Sequence, residues 1–231
     1  MLSKDFYDEL SQRYAKISRE RLAYNEAVDL YIINQPNFSR FHRILDIGSG
    51  DGSRISKLFS KRATITAVEE SPRMCQILRR IDGINHVIES SAGALNSHNF
   101  DNSFDLITMQ WNVLGHVDDH ISLIKFCYKA LKPGGQLIFD VNNPLNIRHY
   151  GFHSFIKNIF YFYIYPRRKR KYFPWQFANL KTDVSFSPSS YYIDLLRTVG
   201  FTKITLTYFD YFTGKFAGPF TGQATFDTFK I

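Results

Sequence analysis

The sequence is poor in cysteine and has no long apolar run. Two cysteines, Cys75 and Cys127, are too few for a disulfide framework or a metal site, and we expect no bound metal. Both lie in helix-like patterns, where a free cysteine behaves as a small buried apolar residue. No stretch of ~20 apolar residues is present to span a bilayer, and the polar start at Met1 does not resemble a signal peptide. We expect a cytoplasmic protein.

Acidic residues are absent from one segment, residues 142–182. The chain has 29 Lys and Arg against 21 Asp and Glu, a net charge of +8. The segment holds eight of these basic residues and twelve aromatic ones, so the rest of the chain carries 21 charges of each sign. Charge concentrated in this way indicates a surface with a specific role. The eight are Arg148, Lys157, Arg167, Arg168, Lys169, Arg170, Lys171 and Lys181.

Strand-like and helix-like patterns alternate after residue 40. Residues 3–34 have helical spacing and are followed by Pro36. Strands are predicted at 43–47, 64–68, 85–89, 104–109 and 136–141, with helices at 54–60, 71–81 and 118–130. This alternation predicts a parallel sheet with helices on both faces. A helix from Pro188 to Gly200 follows, and then segments 203–212 and 223–230, which should pair antiparallel.

The turn after the first strand contains Gly48, Gly50 and Gly52, which let the backbone bend sharply and approach a ligand. A dinucleotide-binding turn would need glycine where this chain has Ser53. Asp46 also argues against a pyrophosphate, because a carboxylate repels phosphate and suits a cationic ligand.

A second carboxylate, Glu69, ends the second strand, where it can accept hydrogen bonds from both hydroxyls of a ribose. A ribose and a cationic amino-acid tail together indicate S-adenosylmethionine. The product would be S-adenosylhomocysteine, and the reaction a methyl transfer.

Four segments carry a family resemblance. Residues 44–52 closely resemble motif I of class I S-adenosylmethionine-dependent methyltransferases of the small-molecule type. Residues 67–74, 102–107 and 130–138 resemble the family's acidic second-strand motif, its fourth strand and its turn into the fifth. The resemblance covers about residues 40–141 and, more loosely, 185–231. It implies a doubly wound, Rossmann-like α/β fold with a seven-stranded, mostly parallel sheet whose last strand is antiparallel.

The resemblance also implies roles for single residues. It places the methionine part of the cofactor on Asp46, Gly48, Ser49 and Gly50, and the ribose on Glu69. Two departures concern the adenine. Glu70 stands where the family usually has an apolar residue, and Ser91-Ala92 where it often has an acidic one. Further cofactor contacts are expected from Gln110, Trp111 and Tyr14. Tyr14 and Tyr7 lie on N-terminal helices of the kind that often cover the cofactor in this family, although packing is as good an interpretation of each.

The segment after the fourth strand enters the site in this fold, so Asn112 is a candidate to orient the acceptor and His116 to take its proton. Packing against the following helix is the alternative role for His116. Two acceptors are disfavoured. No Asp/Asn-Pro-Pro-Tyr/Phe motif indicates an adenine or glutamine amino methylase, and no strand-end cysteine indicates cytosine C5 methylation.

We expect a single domain over 1–231. It divides into an N-terminal helical cap (1–38), a cofactor-binding half (39–141), a lid or substrate insert (142–182) and a C-terminal helix with an antiparallel strand pair (183–231). For the basic aromatic insert four roles stay open: contact with an anionic membrane surface, RNA binding, a pocket for an anionic small molecule, and a packed lid.

The sequence therefore predicts a methyltransferase that acts on an oxygen or nitrogen atom of a small or lipid-like acceptor. Two alternatives remain. One is an RNA methyltransferase that uses the insert, and the other is a non-catalytic, cofactor-binding regulatory protein.

Overall fold

The alternating segments form one seven-stranded sheet and one separate hairpin. The computed structural model describes residues 1–14, 21–164, 170–177 and 179–230, with only the backbone of Gln12 and Phe177. The strands are β1 (Arg43–Ile47), β2 (Thr64–Glu69), β3 (Ile84–Glu89), β4 (Phe104–Met109), β5 (Leu131–Val141), β6 (Lys171–Phe177), β7 (Leu180–Phe186), β8 (Thr202–Phe209) and β9 (Gln223–Phe229).

Helices connect most of these strands. They are α1 (Ser3–Leu10), α2 (Leu22–Ile33), α3 (Ser53–Phe59), α4 (Pro72–Leu78), α5 (His120–Ala130), α6 (Ile147–Ile159) and α7 (Ser189–Val199). Short 3-10 turns lie at Ser11–Arg13, Phe38–Arg40, Ala92–Ser97 and Val113–His116. In the part of the chain that the structure describes, no helix is both long enough and apolar enough to cross a membrane.

The sheet has the order β3-β2-β1-β4-β5-β9-β8. The pairs from β3 through β5 are all parallel, whereas β9 runs antiparallel to both β5 and β8. The predicted seven-stranded sheet with an antiparallel last strand is therefore confirmed. The strand order reverses between β1 and β4, and in such sheets ligands bind beyond the carboxyl ends of the strands at this switch point.

Alternate residues of the strands face two separate apolar cores. Ile44 of β1 packs with Phe59 and Phe209 in one core, whereas Leu45 packs with Ile107 and Phe139 in the other. All of these side chains are buried. Because both faces of β1 are covered, the strand is apolar after the exposed Arg43 except where Asp46 interrupts it.

The insert after β5 has a structure of its own, and its elements are not among the predicted ones. Helix α6 bends at Gly151 (φ 78°) and continues into a π-helical turn, Phe160–Ile164. Strands β6 and β7 then form an antiparallel hairpin, so the second strand continues to Phe186, past residue 182. Five consecutive basic residues, from Arg167 to Lys171, form a basic run in this insert. Of this run, Arg167, Arg168 and Lys169 lie outside the described residues.

A largely buried ion pair joins helix α2 to helix α3. The guanidinium of Arg54, on α3, donates to the carboxylate of Asp29, on α2, at 2.6 Å and 3.1 Å. It also donates to the backbone oxygen of Asn25 at 3.3 Å. Helix α2 is thereby held against the helix that follows the glycine turn.

We predict that Asp29→Ala lowers the free energy of unfolding by about 2 kcal/mol, because it leaves the Arg54 guanidinium largely buried without its carboxylate. Urea unfolding followed by circular dichroism measures the change. Asp101→Ala is the matched control, since its ion pair with Lys129 is exposed and contributes little. Equal destabilisation by the two variants would show that the Asp29 pair has no special role.

Candidate cofactor and acceptor site

The turn between β1 and α3 is shaped by its glycines. Gly48 and Gly50 have φ of +72° and +56°, a left-handed conformation that side chains other than glycine rarely adopt. A Cβ on Gly48 would lie 2.6 Å from Val113, and one on Gly50 would lie 2.7 Å from the Tyr14 hydroxyl. Both the backbone conformation and the lack of space therefore exclude a side chain at these two positions. Without side chains, the backbone of the turn can be approached closely by a ligand.

Asp46 is buried at the carboxyl end of β1. The hydroxyl of Thr108, its register partner on β4, donates to Asp46 Oδ1 at 2.6 Å. Burial raises the pKa of Asp46 to about 6, against the lowering effect of the Thr108 hydrogen bond. A nearby cation, such as the ammonium group of an amino acid, would stabilise the ionised form of this buried carboxylate.

Glu69 is buried at the end of β2 and is held by backbone donors. The N–H groups of Gly50 and Ser71 each donate to one of its carboxylate oxygens at 2.9 Å. Burial raises the pKa of Glu69 to about 7 despite these two hydrogen bonds. The carboxylate therefore connects the glycine turn to the start of α4 and can still accept from a ribose.

A cavity of about 370 Å³ opens above these strand ends. Most of the residues predicted to contact a cofactor line it together. They are Tyr14, Gly48, Gly50, Glu69, Glu70, Ser91, Ala92, Gln110 and Trp111. Asp46 and Ser49 instead line an adjoining space of about 40 Å³, which shares Tyr14, Gly48, Gln110 and Trp111 with the main cavity.

The residues present fit S-adenosylmethionine. Both side-chain amide atoms of Gln110 are buried without a hydrogen-bond partner, although the residue lines both spaces. Buried polar atoms are rarely left unpaired, so the amide is available to a polar ligand. Together with the carboxylates of Asp46 and Glu69, it provides the acceptors and donors that an amino acid and a ribose require.

Tyr7, which was considered together with Tyr14, lines the cavity too, and so do four residues that the sequence patterns did not identify: Val68, Met74, Val113 and Val117. Val68 directly precedes Glu69, which was identified. Met74 lies in the first turn of α4, where it donates its N–H to the capping hydroxyl of Ser71. Tyr7 lies two helical turns before Tyr14, a spacing that could have placed both on one face.

A second cavity of about 270 Å³ lies on the other side of Trp111. Tyr7, Trp111 and His116 line both cavities. The remaining walls of the second cavity come mainly from the insert, including Phe173, Trp175 and other aromatic side chains of the β6–β7 hairpin. The two cavities thus meet at a wall of three side chains.

His116 forms a hydrogen-bonded pair with Tyr7 in this wall. The Tyr7 hydroxyl and His116 Nε2 are 3.1 Å apart, and Nδ1 of the histidine is buried without a partner. Burial lowers the pKa of His116 to about 4 and raises that of Tyr7 well above its usual value. Both groups are therefore uncharged at neutral pH.

Asn112, the other predicted catalytic residue, is held mainly by its backbone. Trp111 and Asn112 have φ of +66° and +59°, a left-handed pair that is uncommon outside glycine. The Asn112 N–H donates to Asp140 at 2.7 Å, and its side-chain oxygen accepts from the Asn142 N–H at 3.0 Å. Its side-chain nitrogen is buried without a partner, and the residue lines the second cavity.

Comparison with known families agrees with this geometry. The family model described as a methyltransferase domain matches residues 7–206. The chain belongs to this family. The family and the fold imply S-adenosylmethionine as the cofactor of this methyltransferase domain.

Curated relatives match part of the methyltransferase domain. The ubiquinone biosynthesis O-methyltransferase of Pseudomonas fluorescens is 29% identical over 104 residues, 44% of this chain and 44% of that protein. The protein of the same name from Vibrio cholerae is 28% identical over 130 residues, 53% of this chain and 50% of its own length. The chain thus spans about half the length of these relatives.

Solved structures share the fold over nearly the whole chain. A methyltransferase of Thermotoga maritima, described as a possible histamine N-methyltransferase, has a TM-score of 0.68 at 19% identity and covers 99% of both chains. A second, from Archaeoglobus fulgidus, has a TM-score of 0.61 at 17% identity, over 94% of this chain and 99% of its own. Identities this low establish the shared architecture alone.

We predict that Glu69→Gln weakens S-adenosylmethionine binding at least ~tenfold, because charge-assisted hydrogen bonds to the ribose become neutral ones. Isothermal titration calorimetry measures the affinity. Glu89→Gln is the matched control, since Glu89 occupies the register position next to Glu69 on β3 but is exposed and paired with Arg79. A Glu69→Gln variant with native affinity would remove Glu69 from the site.

The raised pKa values of Asp46 and Glu69 predict two opposite pH dependences. In the ligand-free protein both groups hold protons more tightly than in the unfolded chain, so their contribution to the free energy of unfolding falls as pH rises from about 4 to about 7. The buried His116 and His120 contribute in the opposite sense, because burial lowers their pKa to about 4. S-adenosylmethionine needs the ionised forms of Asp46 and Glu69, so its affinity rises as pH rises through about 6 to 7. Titration calorimetry between pH 5 and 8 measures the affinity, and urea unfolding of the native protein against Glu69→Gln isolates the contribution of Glu69 to stability. A flat affinity would contradict the assignment.

Proposed function

We propose that this chain is an S-adenosylmethionine-dependent methyltransferase that methylates an oxygen or nitrogen atom of a small acceptor bound in the second cavity. The observation that carries the proposal is the shared wall of Tyr7, Trp111 and His116. A donor in the first cavity and an acceptor in the second would approach each other at this wall.

Across the first cavity and the adjoining space, Asp46 and the turn residues Gly48, Ser49 and Gly50 would hold the methionine part, and Glu69 would hold the ribose. Ser91, Ala92 and Glu70 would lie on the side of the adenine. When bound, S-adenosylmethionine supplies an electrophilic methyl group on a sulfonium centre. Because this group is reactive in itself, the protein contributes mainly by positioning the acceptor and excluding water.

His116 takes the proton that the acceptor loses. Its Nε2–H donates to the Tyr7 oxygen, which fixes the ring and leaves the lone pair on the unpartnered Nδ1 for an acceptor O–H or N–H. The low pKa of His116 keeps it neutral, so it does not repel the sulfonium cation. Asn112, with its free side-chain nitrogen, orients the acceptor from the same cavity.

The insert acts as the lid of the acceptor cavity. Phe173 and Phe186 stack with ring centroids 4.5 Å apart, and Trp175 packs against Phe6 of α1 at 4.8 Å. The first contact joins the two strands of the hairpin, and the second fastens the hairpin to the N-terminal helix. Such a lid excludes water from the reaction.

The basic run supports a lid better than an RNA-binding surface. The Arg170 guanidinium donates to the backbone oxygens of Asp118 and Val117 and to the Ser185 hydroxyl. Lys171 donates to Asn158 at 3.1 Å. In the described part of the run, the charges are thus engaged within the protein and are not free for phosphates.

A lipid-like acceptor is the second candidate, because the outer face of the insert is apolar. Phe152, Phe160, Tyr163 and Tyr172 each expose more than half of their surface. Exposed aromatic side chains beside a basic segment suit a peripheral contact with an anionic membrane surface.

We predict that the protein transfers labelled methyl groups from S-adenosylmethionine to the small-molecule fraction of a cell extract. Label in the lipid fraction would favour the second candidate. Label in RNA would overturn both proposals. Cofactor binding without transfer to any fraction would indicate the non-catalytic regulatory protein.

On the labelled acceptor, His116→Ala should lower kcat about 10²-fold or more with unchanged affinity for the cofactor, since it removes the proton acceptor. Tyr7→Phe should lower kcat less, because it removes only the group that fixes the ring. His86→Ala, on exposed β3, is the matched control. Native kcat in His116→Ala would assign His116 to packing alone.

A further inference from the structure

The acceptor cavity has one cation and no anion. Its walls are aromatic rings and neutral polar groups, and none of the described residues that line it is Asp or Glu. Arg21 is its one residue with a permanent charge, because the pKa of both lining histidines is lowered, mainly by burial. A cationic acceptor would meet repulsion there, whereas an anionic one would meet an opposite charge.

Arg21 is held in place by two aromatic rings. Its guanidinium carbon lies 5.2 Å from the ring centroid of Trp111 and 5.4 Å from that of Tyr211. Contacts of this kind use the face of the guanidinium and leave its in-plane N–H donors available. The ion pairs formed among the described residues do not include Arg21. Arg21 also lines a small adjoining space together with Asp140, and its positive charge opposes burial, which raises the pKa of that carboxylate. Among the described residues, the arginine is therefore fixed in position with no carboxylate within ion-pair distance.

A buried polar atom lies in the same cavity. His149 Nδ1 has no hydrogen-bond partner, and its ring packs against Tyr150 and Tyr211 at 4.5 Å and 4.6 Å. Both His149 and Arg21 lie against the ring of Tyr211, so the two groups are near each other, and the positive charge of Arg21 adds to burial in lowering the pKa of His149. An anionic group bound to Arg21 would therefore have a second polar group close by, the neutral imidazole of His149.

We propose that the acceptor is an aromatic carboxylate whose carboxyl group binds to Arg21. This inference rests on the proposed function. Of the two cavities, Arg21 lines only the second, whereas His116 lines both. A molecule that contacts both residues presents its methyl-accepting atom to the donor and its carboxylate to Arg21, which packs against Trp111 of the shared wall. The planar fork of arginine suits two parallel hydrogen bonds to a carboxylate.

The test compares carboxylates with their uncharged amides. Two pairs, 2-naphthoate with 2-naphthamide and phenylacetate with phenylacetamide, are titrated by calorimetry into the protein saturated with S-adenosylhomocysteine and into the ligand-free protein. We expect each carboxylate to bind at least tenfold more tightly than its amide. Arg21→Gln should abolish this preference and Arg21→Lys should restore part of it, with the affinity for S-adenosylhomocysteine unchanged in both.

Arg148→Gln is the matched control, because Arg148 lies on α6, pairs with Asp210 and does not line the cavity. Equal binding of amide and carboxylate, binding of neither, or a preference that persists in Arg21→Gln would each overturn the inference while leaving methyl transfer intact. Failure of S-adenosylhomocysteine to bind would refute the proposed function separately, and the ligand-free titrations would still decide the role of Arg21.

Discussion

The contact between Glu69 and the glycine turn is the constraint on which the cofactor site depends. One carboxylate accepts from the N–H of Gly50 after β1 and from the N–H of Ser71 before α4. It therefore fixes the distance between two neighbouring strand ends and the turn that crosses them. The turn can come this close because Gly50 is left-handed and has no side chain to meet Tyr14. Burial makes the carboxylate hard to ionise, so a ligand that donates hydrogen bonds to it stabilises the same arrangement.

A second constraint separates the two cavities. Trp111 and Asn112 leave β4 in left-handed conformations, which cost about 1–3 kcal/mol each and persist only where the surroundings hold them. Here Asp140, at the end of β5, accepts from the Asn112 N–H. The bend turns the Trp111 ring into the wall shared by the cavities, where its indole N–H donates to Asn25 of α2 at 2.8 Å. Strain in the backbone is thus linked to the placement of the side chain that divides donor from acceptor.

The parts that could be predicted from sequence are those determined by local patterns. The strand at 104–109 agrees with β4 to the residue, because four of its six residues are apolar and polar residues flank it on both sides. By contrast, β5 begins at Leu131, before its predicted start at 136. Leu131 already pairs with Phe104 of β4, and Pro133 and the two glycines after it, which mark a turn locally, form an irregularity before the pairing resumes at Gln136. The hairpin of the insert was missed for a similar reason. It contains Pro174, which normally argues against a strand interior and is tolerated in an isolated two-stranded sheet.

Site residues divide along the same line. Asp46 and Glu69 lie at the carboxyl ends of strands in a fixed motif. Tyr7 on α1 and Arg21, immediately before α2, instead reach the site from the N-terminal helices, whose position depends on tertiary packing. Charge shows the difference most clearly. A dense basic run suggested a polyanion partner, yet its described members Arg170 and Lys171 are engaged by groups of the protein itself. A single arginine outside the run retains an unpaired charge, because aromatic rings hold it without neutralising it. The number of charges in a segment therefore indicates less about a ligand than whether each charge already has a partner.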